Sequence, residues 1–221
     1  RPAGPRPQRW GSGSVRRRSW SAPAHEVAGA GGGKAVLRSM SIPAFLEEPR
    51  LQEVGCCALR NLAHAHSSDG RSGQVAFQIG VDEGVEVVVQ AMRSNEEHPR
   101  VQERACAALR LLMRDQANQA RVVDSEGVEA MLRAVAQHAA DPGVAQEVCR
   151  ALELLATRHP DSVGFLVEAG VNGAIEQCLS DHQGDAAVQA SGQALLARLR
   201  GSAAARPRDS RSSGPVTLPA L

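Results

Sequence analysis

VQERACAALRLL at residues 101–112 and VAQEVCRALELL at residues 144–155 are one helix written twice, 43 residues apart. Val101 answers to Val144, Cys106 to Cys149, Leu109 to Leu152 and Leu112 to Leu155. Gly84-Val85, Gly127-Val128 and Gly170-Val171 keep the same 43-residue step, and each opens a second, shorter apolar segment. A fixed period of this size marks stacked helical units, none of which can bury its apolar face alone.

The longer segment carries apolar residues at i, i+4, i+7, i+8 and i+11, one face of a helix with 3.6 residues per turn. These are Val101, Ala105, Ala108, Leu109 and Leu112 in one copy, and Val144, Val148, Ala151, Leu152 and Leu155 in the next. Working outward, Leu51, Gly55, Ala58, Leu59 and Leu62 precede them, and Val188, Gly192, Leu195, Leu196 and Leu199 follow. Pro99 and Pro142 stand near helix starts, where the missing N–H costs nothing. The Gly-Val pairs predict second helices over 85–93, 128–138 and 171–179. A short helical turn is expected at 120–123 and 164–167, and at 75–79 after a polar loop over 64–72. Each unit thus reads as three helices, one of them short.

Composition suits such packing. The chain has 221 residues, only 3 Phe, 2 Trp and no Tyr, so Ala, Leu and Val must build the core. No apolar run reaches the roughly 18 residues of a membrane span. Five cysteines (Cys56, Cys57, Cys106, Cys149, Cys178) without a spaced framework suggest reduced thiols and an intracellular, cytoplasmic setting. The net charge of +1 divides unevenly: residues 33–200 carry −6, residues 1–32 carry +5 and residues 201–221 carry +2. Both flanks are rich in Pro, Gly, Ser and Arg and are expected to be disordered. A chain opening at Arg1 reads as a fragment or processed form.

LQEVGCCALRNLA (51–63), followed by GVEVVVQAM (84–92), resembles an armadillo repeat, and the segments at 101 and 144 are weaker copies. The likeness covers about residues 33–200. It implies an all-α, right-handed α-solenoid of about three and a half armadillo-type repeats, flanked by disordered tails at 1–32 and 201–221. It also implies that the long third helices line a concave groove for an extended partner segment. Armadillo proteins of the importin-alpha type carry a Trp and an Asn at fixed places of that helix. The Trp places here are Cys57, Ala107, Arg150 and Ala194; the Asn places are Asn61, Leu111, Leu154 and Arg198. Only Asn61 matches, so recognition of basic import signals is not expected.

One face away from the core stripe stand Val54, Cys57 and Asn61, then Arg104, Ala107 and Leu111, then Glu147, Arg150 and Leu154. Asn61, Arg104, Leu111, Glu147, Arg150 and Leu154 are the candidate groove residues, with Leu111 and Leu154 as a solvent-facing apolar strip. Packing beneath neighbouring helices is the competing reading for that pair. No metal or cofactor is expected. Cys56 and Cys57 point about 100° apart on a helix, poorly placed to close a tetrahedron with His64 and His66. The run from Gly29 to Ala35 lacks the first glycine, the hydroxyl residue and the preceding strand of a phosphate loop, and reads as a linker. No nucleophile, base and acid assemble, so catalysis is not expected.

In the N-terminal flank, Arg18-Ser19-Trp20-Ser21-Ala22-Pro23 is similar to the segments that 14-3-3 proteins bind once the second serine, here Ser21, is phosphorylated. The Arg/Ser-rich flank is also compatible with an organelle transit segment. Nucleic-acid binding is not expected, and self-association follows if an end of the array is left open. The overall expectation is a non-catalytic protein–protein interaction scaffold. The alternative is a regulatory armadillo segment of a larger multidomain enzyme such as a kinase.

Overall fold

The computed structural model describes residues 31–64 and 72–205, and among these there are eleven α-helices, one 3-10 turn and no strand. In chain order they are α1 (Gly32–Met40), the turn Pro43–Phe45, α2 (Pro49–His64), α3 (Ser72–Val81), α4 (Gly84–Ser94) and α5 (Pro99–Leu112). There follow α6 (Gln116–Asp124), α7 (Gly127–Gln137), α8 (Pro142–Arg158), α9 (Ser162–Glu168), α10 (Val171–Asp181) and α11 (Ala186–Ala205). The three-helix units expected from the spacing are present, and the short helices are longer than expected.

The long helices stack in series, α2 on α5, α5 on α8 and α8 on α11. The second helices form a parallel row, α1 on α4, α4 on α7 and α7 on α10, and α3 packs on α6. One continuous apolar core runs from Leu37 in α1 to Leu199 in α11. Leu59, Leu109, Leu152 and Leu195 are fully buried, so the core stripe lies where the periodicity placed it.

Local chemistry sets the helix starts. Asp141 Oδ1 accepts from the N–H groups of Gly143 (2.8 Å) and Val144 (3.1 Å), satisfying two orphan donors at the start of α8. Asp115 and Asp185 do the same for α6 and α11. Pro49, Pro99 and Pro142 each occupy the first helical position.

The start of every second helix needs a left-handed residue. Gly31 and Gly170 take φ of +82°, and Glu83 and Glu126 take φ of +64° and +59°. These four are all the positive-φ residues among the described ones, and all stand at the same junction. In the middle units the Gly of Gly-Val is therefore the first helical residue. A Cβ on Gly127 would lie 2.8 Å from the Val122 carbonyl oxygen, so glycine is required there for space rather than for dihedral freedom. Glu126 is held in its unfavourable conformation by Arg93, whose Nη2 reaches Glu126 Oε2 at 2.7 Å and the Ser125 carbonyl at 2.9 Å.

Two expected boundaries shift. The Gly29–Ala35 run is not simply a linker, because Gly32, Gly33, Lys34 and Ala35 form the first turn of α1. At the other end α11 continues past Arg200 to Ala205.

Candidate functional site

Each long helix buries the side that meets the second and short helices, and α5 and α8 also lie between two other long helices. The places one face away from that side differ in exposure from helix to helix. On α2 this face shows Val54 and Asn61, both exposed, with Cys57 half-buried. On α5 it shows Arg104, half-buried at 26%. On α8 it shows Arg150, exposed, and Glu147, mostly covered at 14%.

The expected apolar strip is not there. Leu111 is buried at 5% and joins the core, and Leu154 is half-buried and packs against it. The reason is the stacking of long helices: α5 lies between α2 and α8, which flank it on both sides. A place that looks solvent-facing on an isolated helix is thereby covered by the adjacent unit. Ala107 is buried in the same way. The six candidates therefore divide into polar groups on the shared face (Asn61, Arg104, Glu147, Arg150) and leucines beneath or beside it.

The seam between α5 and α8 carries a charge network that the sequence reading did not pick out. Arg110 Nε lies 3.0 Å from Glu147 Oε2, and Arg150 Nη1 lies 3.4 Å from Glu147 Oε1. Glu147 thus sits between two guanidinium groups, one across the seam and one a turn later on its own helix. Setting Arg110 beside the residue 37 positions on would have revealed the pair. The fixed 43-residue comparison hides it, because contacts between stacked helices join different places of the repeat.

A second opening lies at the N-terminal end of the row. Val36 and Met40 of α1 with Leu51, Val54 and Ala58 of α2 line a largely apolar cavity of about 610 Å³. Val54 is 68% exposed there.

The thiols are core groups. Cys56, Cys106, Cys149 and Cys178 are buried. Burial, with Cys57 beside it, pushes the Cys56 thiol up to about 12. Burial also raises Cys106, with Glu147 adding to the effect. Cys149 is raised by its hydrogen bond with Cys178 and by burial. Thiols held protonated in this way are poor nucleophiles and poor metal ligands at neutral pH. Among the described residues no three His, Cys, Asp or Glu side chains converge as a metal site would need. No helix among them is long and apolar enough to cross a membrane. Ser21, His66 and the flanks at 1–30 and 206–221 lie outside the described residues.

Compared with models of known families, with curated proteins and with solved structures, the chain gives no match. The reading of this surface therefore rests on the residues themselves.

Proposed function

We propose that this chain is a non-catalytic interaction scaffold, an armadillo-type α-solenoid that holds an extended segment of a partner protein along its row of long helices. The observation that carries the reading is the serial stacking of α2, α5, α8 and α11. Stacking leaves one continuous face whose side chains come from every unit, a surface suited to a ligand contacted repeatedly along its length. Affinity then arises from side-chain pairing at Asn61, Arg104, Glu147 and Arg150, over a floor formed by Ala107 and Leu111.

Selection of a displayed random-peptide library on the full chain tests this. Enriched peptides are expected to lose binding to an Asn61→Arg/Arg150→Glu variant whose far-UV circular dichroism is unchanged, since both residues are exposed. Peptides that bind the variant as tightly as the parent, or a selection with no enrichment, would overturn it.

A further inference from the structure

The two places that form the Arg110–Glu147 ion pair across the α5/α8 seam recur one seam earlier, across α2 and α5. On α2 the place of Arg110 is taken by Arg60, nine residues after the first stripe residue in both helices. On α5 the place of Glu147 is taken by Arg104, three residues after it. The earlier seam therefore sets two guanidinium groups where the later one sets a guanidinium and a carboxylate.

Neither arginine is neutralised from across the seam. Arg60 makes no ion pair among the described residues. Arg104 has only its chain neighbour Glu103, 3.3 Å from Nη1. Its Nε is buried and finds no acceptor among the described residues. A buried guanidinium N–H without an acceptor is a costly arrangement. Arg100 and Arg114 on and just after α5 add positive charge, although residues 33–200 as a whole carry −6. Within α2 and α5 these basic residues stand against the carboxylates of Glu53 and Glu103.

We propose that the α2/α5 seam is an anion subsite that takes an aspartate or glutamate side chain of an acidic peptide segment, held between Arg60 and Arg104. The ligand carboxylate fills the role that Glu147 fills one seam later, which favours a carboxylate over a phosphate. Single-stranded nucleic acid is disfavoured because α2, α5, α8 and α11 contain no aromatic side chain on which a base could stack. This inference rests on the scaffold reading and names the class of partner.

The test titrates the full chain with a fluorescein-labelled oligoglutamate peptide. Oligolysine, a phosphoserine peptide and single-stranded RNA of equal length are the other arms. Oligoglutamate is expected to bind best and to weaken with added salt. Arg104→Glu, which places a carboxylate opposite Arg60 as in the next seam, is expected to weaken it about ten- to a hundredfold. It should leave the melting temperature unchanged or higher. Arg60→Gln/Arg104→Gln serves as a second variant in case the charge reversal perturbs folding, and should show the same loss. Oligoglutamate binding that survives both variants, or tighter binding of RNA or phosphopeptide, would overturn the proposal. Library peptides that depend on Asn61 and Arg150 but carry no acidic residue would sink the subsite alone and leave the scaffold standing.

Discussion

Gln102 donates through Nε2 to the carbonyl of Met92 at 2.9 Å, and through the same nitrogen to the carbonyl of Asn95 at 2.8 Å. The amide is buried in the first turn of α5 and clasps the last turn of α4 and the loop between the two helices. The same clasp recurs where Gln52 reaches Met40 and Phe45, and where Gln189 reaches Leu179 and His182. In the third unit Ala145 stands in the glutamine place and no such clasp forms. Replacing Gln102 by Leu strands two buried carbonyls at once and should cost about 1–3 kcal/mol in urea unfolding. Gln193→Ala, on an exposed side chain, should change stability by no more than about 0.5 kcal/mol.

Gly80 is expected to tolerate no side chain. A Cβ there would overlap Asn118 Oδ1, and Asn118 is fixed by donating through Nδ2 to the carbonyls of Ala76 (2.8 Å) and Leu112 (3.0 Å). Gly80→Ala should therefore destabilise by about 1–3 kcal/mol. Gly173 is the counterexample, exposed within α10 with open space around its Cα. Gly173→Ala should stabilise by about 0.5–1 kcal/mol. A pair of thermal melts decides both.

Alkaline destabilisation should be a cysteine effect. The chain has no tyrosine, and Lys34 is its only lysine, so few other groups titrate between neutral pH and the range of arginine. The Cys56 thiol moves from an ordinary 9.0 to about 12 in the folded state. The folded protein then holds a proton that the unfolded chain has lost, so unfolding is favoured as pH rises. The stabilising contribution is complete below about pH 9 and is lost progressively as pH climbs towards about 12. Cys106 acts in the same direction. Melting temperatures recorded from pH 8 to about 11 should fall steeply in the parent. They should fall less in a Cys56→Ala/Cys106→Ala variant.

Leu111 and Leu154 should behave differently, although the repeat makes them equivalent. Leu111→Ala should cost about 2–5 kcal/mol because the side chain belongs to the core. Leu154 is only partly covered, so Leu154→Ala should cost less. Equal losses in chemical denaturation would show that the two seams pack alike, contrary to the burial seen here.

The Leu111 comparison also shows how far the chain could be read without coordinates. Periodicity located the inward stripe correctly at Leu59, Leu109, Leu152 and Leu195, because helical phase is a local property of the chain. It placed Leu111 in solvent because a lone helix has no neighbour to cover its flank. The exposure of the polar residues was not legible in the same way: Asn61 shares its helix phase with the buried Leu111, and Arg150 shares its phase with the buried Ala107, so phase alone does not decide which of them meets solvent.

The left-handed junctions were half visible. Glycine at Gly170 announces a residue with positive φ, whereas Glu83 and Glu126 carry no such sign. Their conformation follows from the turn between successive helices, which at Glu126 is clamped by Arg93 from the preceding unit. The glutamine clasps were written plainly in the copies LQ, VQ and VQ, yet a polar residue beside a core position reads as surface until its acceptors are known.

The amino-acid sequence by itself determined the helices, their 43-residue spacing and the aliphatic stripe, all consequences of interactions within one or two turns. The tertiary structure alone decided which flanks are covered and that Glu147 meets Arg110 across the α5/α8 seam. Those outcomes depend on which helix lies next to which, and helix-to-helix register joins side chains that no fixed sequence interval reveals.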